Sequence, residues 1–149
     1  MSEPPSAEPG LFLPDVNVLV ALTNPAHVHH AQAHQWLSTI EQFATTPVTE
    51  SGLVRMLLNP AVTGQPVSGQ QAIGILTGLR ADVRATFLPD GSSLSSPRID
   101  TVGLAGHRQV TDVHLVNLAA LHEATLVTFD RRITQALVAA DQRFVHVLD

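Results

Sequence analysis

Hydrophobic positions along the chain alternate between short apolar runs and longer segments with helical spacing. "LFLP" (11–14), "ATLVTF" (124–129) and "FVHVL" (144–148) are compact apolar runs that are typical of buried strands. Segments such as "DVNVLVAL" from residue 15 and "RRITQALVAA" (131–140) have the apolar spacing of helices. Because strands and helices alternate, the sequence predicts an α/β fold whose mainly parallel sheet is covered by helices on both faces.

The sequence also predicts which residues cap two of the helices and which face of another helix is buried. "HVHHAQAHQWLSTIEQF" (27–43) is predicted to form a single helix, followed by a weak strand in "ATTPV" (44–48). Thr49 is predicted to cap the next helix, and Thr111 is predicted to cap a buried helix that runs from Asp112 to about residue 123. The predicted buried stripe of the 27–43 helix consists of Val28, Ala31, Trp36, Leu37 and Ile40.

The composition indicates one folded domain without disulfides. At 149 residues, with 44% hydrophobic and 14% charged residues, the chain is long enough and apolar enough to bury a core. It has no cysteine, which excludes a disulfide framework, a cysteine nucleophile and a thiolate metal site. No apolar run approaches the roughly 20 residues of a membrane span, and the first residues do not resemble a signal peptide. We therefore expect a cytoplasmic protein with a flexible tail at residues 1–10 and a single domain at residues 11–149.

The charge of the chain argues against a broad basic surface. The formal net charge is −5, and the 8 basic residues are all arginine. Non-specific binding of nucleic acid depends on neutralising many phosphates, which this balance of charges disfavours. Mechanisms that require a lysine are excluded as well, because the sequence contains none.

Four carboxylates occupy strand exits or helix entrances in the predicted fold. Asp15 directly follows the first strand, Glu50 follows the second, and Asp130 follows the strand "ATLVTF". Asp112 opens the helix that leads into that strand. Ligands of parallel α/β sheets bind beyond the carboxyl ends of the strands, where these acids are expected to meet.

Several carboxylates in one place need a positive partner. A nearby like charge raises the pKa of a carboxyl group, so the acids would retain protons without compensation. Oxygen-only ligation favours a hard ion such as magnesium or manganese over zinc. Any one of these acids, Glu50 above all, could instead be a helix cap or a partner of the helix dipole. The four together are the more specific signal.

Four segments in this order and spacing resemble one known family. "LPDVNVLVAL" (13–22), "TESGLVRMLLNP" (49–60), "GHRQVTDVHLVNLA" (106–119) and "ATLVTFDRRI" (124–133) are similar to the PIN-domain ribonucleases of the VapC toxin type. The resemblance covers nearly the whole chain from residue 11 onward. It implies a three-layer α/β/α PIN domain and an endoribonuclease toxin of a type II toxin–antitoxin pair that depends on Mg²⁺ or Mn²⁺. It also implies an RNA substrate, a VapB-like antitoxin that inhibits the enzyme, and a homodimer.

The resemblance also assigns roles to individual residues. The metal is expected on Asp15, Asp112 and Asp130, and the second acid of the family motif falls on Glu50, which could act through water. Two polar positions of the motif are expected to support these acids, and they fall on Asn17 and Thr128.

Arginines are the candidates for contacting RNA phosphates, because their planar fork can bind a phosphate with two hydrogen bonds. Arg55, Arg108 and Arg131 are the main candidates, together with Arg132. Each of them could equally pair with a surface acid or begin a helix on a solvated face.

Three other interpretations remain open at the level of sequence. His27, His29, His30 and His34 are clustered, and His30 and His34 share a helix face, as zinc ligands often do. A catalytically inert PIN-like binding module would keep the fold without the chemistry. Receiver domains and aspartate-nucleophile phosphatases also place acids at strand exits, but those families are expected to need a lysine beside the acids. Two further histidines, His107 and His114, lie near Asp112 in the sequence. They could contact RNA or the inhibitor, or they could simply pack.

Overall fold

The strands form one parallel sheet whose carboxyl ends lie along a single edge. The computed structural model describes residues 8–149, and the order of the strands in space is β3-β2-β1-β4-β5. Every pair of neighbouring strands is parallel. The strands are β1 (Glu8–Pro14), β2 (Ile40–Thr45), β3 (Ala85–Phe87), β4 (Ala124–Thr128) and β5 (Val145–Val147).

Helices connect the strands and cover the sheet. Between β1 and β3 lie α1 (Val16–Thr23), α2 (His30–Leu37), α3 (Pro47–Leu57), α4 (Pro60–Thr63) and α5 (Gly69–Arg80). The second half contains α6 (Val110–Leu121), α7 (Arg132–Gln135) and two 3₁₀ turns, at His107–Gln109 and Ala139–Phe144. Within residues 8–149, no helix combines the length and the apolar character that crossing a membrane requires.

Two apolar cores, one on each face of the sheet, confirm the predicted three-layer α/β/α arrangement. Alternate residues of a strand point to opposite faces, so Phe12 packs in one core and Leu13 in the other. The first core lies against α1, α2, α3 and α5 and includes Val18, Trp36 and Leu53. The second core is filled mainly by α6, through Val113, Leu115, Val116, Leu118 and Ala119.

The predicted helix at 27–43 was wrong beyond Leu37. The structure ends α2 there and begins β2 at Ile40, so Phe43 becomes a strand residue that pairs with Phe12 of β1. Burial against the sheet therefore outweighs the helical spacing of this segment. The predicted stripe is also only partly correct, because Val28 is 86% exposed and Ala31 lies on the surface.

The start of α3 differs from the prediction in a way that affects Glu50. Thr46, rather than Thr49, caps the helix: its hydroxyl accepts a hydrogen bond from the Thr49 amide at 3.1 Å. Thr49 Oγ1 in turn accepts from the Thr46 amide at 2.9 Å, which completes a capping box, and Pro47 occupies the first helical position. Glu50 consequently lies within the first turn of α3.

Other boundaries also move. α6 begins at Val110, so Thr111 lies inside the helix and does not cap it. The predicted helix at 131–140 shortens to the four residues of α7, followed by a 3₁₀ turn. At the N-terminus, β1 already begins at Glu8, which pairs with Ile40 of β2, so residues 8–10 are strand rather than tail. The rest of the predicted tail, residues 1–7, lies outside the described residues.

The long connection between β3 and α6 is held to the domain by buried polar groups. The Arg98 amide donates to Asn117 Oδ1 of α6 at 2.7 Å, and the Asp100 amide donates to Asp141 Oδ2 at 2.8 Å. Ile99, between them, is buried in the second core. The loop at 91–98 therefore leads into an anchored segment.

The contact between α1 and α3 predicts the outcome of one substitution. A Cβ on Gly52 would lie 2.4 Å from Val16 Cγ2, and Val16 has a stiff β-branched side chain. Gly52→Ala is therefore expected to lower the free energy of unfolding by about 1–3 kcal/mol, measured by urea denaturation. The matched control is Gly74→Ala in α5, where a Cβ would meet nothing within 4 Å. This control should gain about 0.5–1 kcal/mol from helix propensity, and equal effects of the two changes would contradict the packing argument.

Candidate active site

Two of the predicted acids follow the two central strands of the sheet. Asp15 comes directly after β1, where it caps α1, and Asp130 comes just after β4. β1 and β4 are hydrogen-bonded neighbours, and the Asp15 amide continues this pairing by donating to the Val127 carbonyl at 2.9 Å. The fold thus brings together two carboxylates that are more than a hundred residues apart in the chain.

Thr128 connects these two acids directly. Its hydroxyl donates to Asp15 Oδ2 at 2.6 Å and accepts from the Asp130 amide at 3.0 Å. The other oxygen of Asp15 accepts from the Val18 amide at 3.0 Å. One hydroxyl therefore fixes the rotamer of the first acid and the backbone that carries the last one, which is the supporting position predicted for Thr128.

The pKa values place the third acid, Asp112, in the same electrostatic neighbourhood. Burial raises the pKa of Asp15 to about 6; its hydrogen bonds from Thr128 and Val18 counteract the rise, and the charges of Asp112 and Asp130 add to it. The pKa of Asp112 is raised as well, by burial and then by the charge of Asp130, while Arg132 opposes the rise. Asp15, Asp112 and Asp130 therefore act on one another, as the sequence predicted.

Asp130 differs from the other two acids because an arginine holds it. Arg132 Nε donates to Asp130 Oδ1 at 3.0 Å and Nη2 donates to Oδ2 at 3.0 Å, a two-pronged pair. The Arg132 amide also donates to Oδ1, at 2.9 Å. The hydrogen bonds from this side chain lower the pKa of Asp130, so this carboxylate is ionised at neutral pH.

An open pocket lies beside the acids. Its volume is about 340 Å³, and Asp112, Asp130, Arg108 and Arg132 are among the residues that line it. Asp15 is only 5% exposed and is not among the residues that line the pocket. Negative and positive side chains therefore face one cavity, which could accept an anion that also carries a cation. Of the predicted phosphate ligands, Arg108 and Arg132 lie in this pocket.

Glu50, the remaining predicted acid, has its own partners on the β2 side. Thr45 Oγ1, at the end of β2, donates to Glu50 Oε2 at 2.6 Å. Arg80 Nη1, from the last turn of α5, donates to the same oxygen at 3.4 Å. β2 adjoins β1, so Glu50 lies one strand away from Asp15 along the same edge.

The other predicted residues lie near this edge but vary in what they contact. Asn17 is exposed in the first turn of α1, next to Asp15. Arg55 lines a groove between α3 and α5 together with Glu50. Arg131 forms an exposed ion pair with Asp149 and is not among the pocket's lining residues, so its predicted contact with phosphate gains no support from geometry.

Sequence reasoning missed two residues that contact the candidate acids. Thr45 and Arg80 were not singled out, although both bond to Glu50. Thr45 lies five residues before Glu50, in the Thr-rich strand exit, and could have been noticed there. Arg80 is 30 residues away, and only the packing of α5 on α3 brings it close.

The donor set suits a hard divalent cation, although the acids are not gathered into a finished cage. Within residues 8–149, no three histidine, aspartate or glutamate side chains form a group that could hold a metal as they stand. Arginines already engage two of the acids: Arg132 bonds to both oxygens of Asp130, and Arg80 bonds to Glu50. Asp15 and Asp112 are different: burial and like charge raise the pKa of both, and a cation would relieve this cost.

The histidine cluster has a structural use that disfavours the zinc alternative. His30 Nδ1 lies 2.7 Å from the Ala21 carbonyl, and His34 Nε2 lies 2.8 Å from the Leu22 carbonyl. These carbonyls belong to the last turn of α1 and have no partner within their own helix. His30 and His34 therefore cap the C-terminal end of α1, and each ring contacts a backbone carbonyl through one of its nitrogens.

The two histidines near Asp112 have different surroundings. His107 lies in the 3₁₀ turn before α6 and lines the pocket with the acids. His114 Nε2 pairs with Asp90 Oδ2 in the loop after β3, and Asp90 also accepts from the Ser92 hydroxyl at 2.7 Å. His114 thus ties α6 to that loop, whereas His107 remains available to a ligand in the pocket.

Comparisons with known proteins agree with this fold. The PIN domain family model matches residues 12–140. Ribonuclease VapC39 of Mycobacterium tuberculosis is 40% identical over 128 residues, which cover 84% of this chain and 92% of that protein. Ribonuclease VapC38 of the same organism is 41% identical over 122 residues, covering 80% of this chain and 85% of that protein.

Two solved structures share the fold at low sequence identity. Mycobacterium tuberculosis VapC20, described as a sarcin-ricin loop cleaving toxin, gives a TM-score of 0.56 at 12% identity over 85% of this chain and 96% of that one. VapBC2 from Rickettsia felis, solved with a DNA fragment from its promoter, gives a TM-score of 0.54 at 13% identity. That match covers 93% of this chain and 99% of the other.

The buried Asp15 predicts a specific dependence of stability on pH. Its pKa is about 6 in the folded protein against 3.8 as the ordinary value, so between these values the folded state binds the proton more tightly. The free energy of unfolding should therefore fall as pH rises from about 4 to about 6, by roughly 1–3 kcal/mol. In EDTA, Asp15→Asn is expected to exceed the wild type in unfolding free energy at about pH 7, and to lose most of this advantage by about pH 4. Urea denaturation across this range, with exposed Glu41→Gln as the control, measures the effect; parallel profiles would contradict it.

Proposed function

The chain belongs to the PIN-domain family and, within it, to the VapC ribonucleases, and from this membership we propose that it is an endoribonuclease toxin that hydrolyses RNA phosphodiester bonds. The observation that supports the proposal most is that Asp112 and Asp130 line a pocket together with Arg108 and Arg132, while the charges of both acids act on the buried Asp15. The reaction is taken from the family, and these residues are proposed to perform it.

The proposed cofactor is Mg²⁺ or Mn²⁺, held by Asp15, Asp112 and Asp130. Carboxylate oxygens are the ligands that these hard ions prefer. To contribute, Asp130 would share or exchange its bonds with Arg132, whereas Asp15 and Asp112 have no arginine bond to give up among the described residues. The cation would offset charge on the phosphate and favour attack by water. Glu50, one strand away, would support the same edge through water.

The side chains themselves bind, orient and accept a proton. Arg108 and Arg132 line the pocket and can donate to the non-bridging oxygens of a phosphate, which fixes the scissile group against the acids. Asp112 is half-buried and lines the pocket, where an oxygen of its carboxylate would accept the proton of the attacking water. Thr128 keeps the carboxylate of Asp15 in one orientation throughout.

The proposed substrate is a single-stranded region of RNA. Bases in loops and single strands are accessible to a protein, whereas those in an A-form duplex lie in a groove that side chains cannot enter. The site is an open pocket at the edge of a sheet, which suits a strand or loop that can lie across it. The acidic net charge of −5 also argues for local arginine contacts over a broad basic surface.

The proposed partners are a VapB antitoxin and a second copy of the chain. An antitoxin segment that carries arginine would pair with the acids of the pocket and so exclude substrate. Cleavage that continues in the presence of the purified cognate antitoxin would contradict this. A homodimer would place two sites along one surface, and a monomeric mass in size-exclusion chromatography with light scattering would contradict it.

Replacing one acid tests the proposed chemistry. Asp112→Asn is expected to reduce RNA cleavage by about a hundredfold or more, because an amide neither accepts the proton nor carries the charge. The circular dichroism spectrum should remain that of the wild type, since Asp112 is partly exposed in the first turn of α6. The matched control is Glu41→Gln, an exposed acid in β2 that should cleave normally. Undiminished cleavage by Asp112→Asn would refute its assignment.

Metal titration separates the nuclease from an inert binding module. A cation at about 100 times its Kd raises the free energy of unfolding by about 2.7 kcal/mol, so Mn²⁺ at millimolar levels should raise the melting temperature of the wild type. Asp15→Asn should lose this gain, whereas Asp149→Asn, which changes an exposed acid at the end of the chain, should keep it. A melting temperature that does not respond to Mn²⁺ or Mg²⁺ would favour the inert module.

A further inference from the structure

Arg80 projects from the last turn of α5 onto the edge that carries the acids. Its Nη1 donates to Thr45 Oγ1 at 3.3 Å and to Glu50 Oε2 at 3.4 Å, so one nitrogen makes both contacts. The side chain is 37% exposed. Across residues 8–149, Arg80 Nε and Nη2 have no hydrogen-bond partner.

Phe87 lies beside this arginine. It is the last residue of β3, and it is 39% exposed. The guanidinium of Arg80 is 5.0 Å from the centroid of the ring. A charged planar group and an exposed ring therefore adjoin each other at the carboxyl end of the edge strand.

The geometry indicates that Arg80 is not there for structure alone. A structural arginine of this chain looks different: Arg84 donates to Asp82 at 3.0 and 2.8 Å and to the Leu37 carbonyl at 2.8 Å. Arg80 instead makes two long bonds from a single nitrogen. It keeps donors free while its position is restricted by Glu50 and by Phe87.

We propose that Arg80 and Phe87 form a nucleotide subsite for single-stranded RNA, in which Arg80 binds a phosphate and Phe87 stacks with a base. The inference rests on the proposed ribonuclease function and extends it to a second contact with the substrate. Phosphate–arginine contacts combined with stacking on aromatic rings are how proteins hold single strands without reading their sequence. β3 lies three strands from β4, whose exit carries Asp130 of the pocket, roughly 14 Å away, so this nucleotide lies further along the RNA strand than the one whose phosphate enters the pocket.

The chain contains a natural control for this subsite. Arg143 lies over the ring of Phe144 with its guanidinium 4.4 Å from the centroid, which is the same pairing of groups. Phe144 directly precedes β5, and Arg143 and Phe144 line a surface with Ala124, the first residue of β4. This second pair therefore lies at the amino ends of the strands, on the opposite edge from the acids.

The test measures the binding of a short, labelled, single-stranded RNA of mixed sequence by fluorescence anisotropy over a range of salt concentrations. Asp112→Asn is the parent protein, so that the RNA stays intact. Adding Arg80→Gln should weaken binding and reduce the salt slope by about 0.7, the value for one phosphate of a single strand. Adding Phe87→Ala should weaken binding roughly 5- to 100-fold with the salt slope unchanged. The matched changes Arg143→Gln and Phe144→Ala should leave both quantities as in the parent.

Two further variants guard against indirect effects. Phe87→Leu keeps the apolar volume but loses the ring, and it removes neither of the hydrogen bonds that Glu50 accepts from Thr45 and Arg80. Arg80→Lys keeps the charge without the fork and should retain most of the salt slope. Melting temperatures near that of the parent would show that each variant is folded.

The outcomes are distinct. Parent-like affinity of both Arg80→Gln and Phe87→Leu overturns the subsite, as does an equal loss in the Arg143 and Phe144 variants. Loss of antitoxin binding with RNA binding intact also overturns it, because the pair would then serve a protein partner. If the wild type cleaves RNA while the subsite variants bind normally, only the subsite fails. If the wild type neither binds nor cleaves any RNA, both the proposed function and the subsite fail.

Discussion

The pairing of β1 with β4 is the constraint on which the site depends. It sets the exits of two distant segments side by side, and the hydroxyl of Thr128 then joins Asp15 to the backbone of Asp130. A hydrogen bond to a charged group is worth about 1.5–3 kcal/mol, enough to keep one rotamer of a buried carboxylate. Without this pairing, Asp15 and Asp130 would belong to separate surface loops, and their charges would not act on each other.

The four acids of the site are not equally stabilised by their surroundings. Asp15 and Asp112 lie inside without an arginine bond, and their pKa values are raised. Asp130 and Glu50 lie outside, and each is held by an arginine. On the proposed function, the inner pair would bind the cation more strongly, and the arginines of the outer pair would meet the anionic substrate. Because guanidinium groups can exchange a carboxylate for a phosphate, the same arginines would serve the free and the substrate-bound protein.

The sequence predicted the layers of the fold and the strand exits that carry Asp15 and Asp130, since both follow from local patterns. That three acids share one cation stays a prediction. Apolar runs identify buried strands, and parallel strands must place their exits on one edge. The prediction was wrong at Phe43, which lies in β2 and pairs with Phe12 of β1 although its segment has helical spacing. It was also wrong about the cap of α3, which is Thr46 and not Thr49. Arg80 could not have been found, because the packing of two helices brings it to Glu50 and no local signal marks it.

The two outermost strands have a consequence for how other chains can bind. β3 and β5 consist of three residues each, so each border of the sheet offers few free amide and carbonyl groups. A strand from another molecule would find little backbone to extend, which also protects the protein from edge-to-edge aggregation. Recognition of this domain must therefore rely on side chains and cavities, and a partner has no need to adopt an extended β conformation.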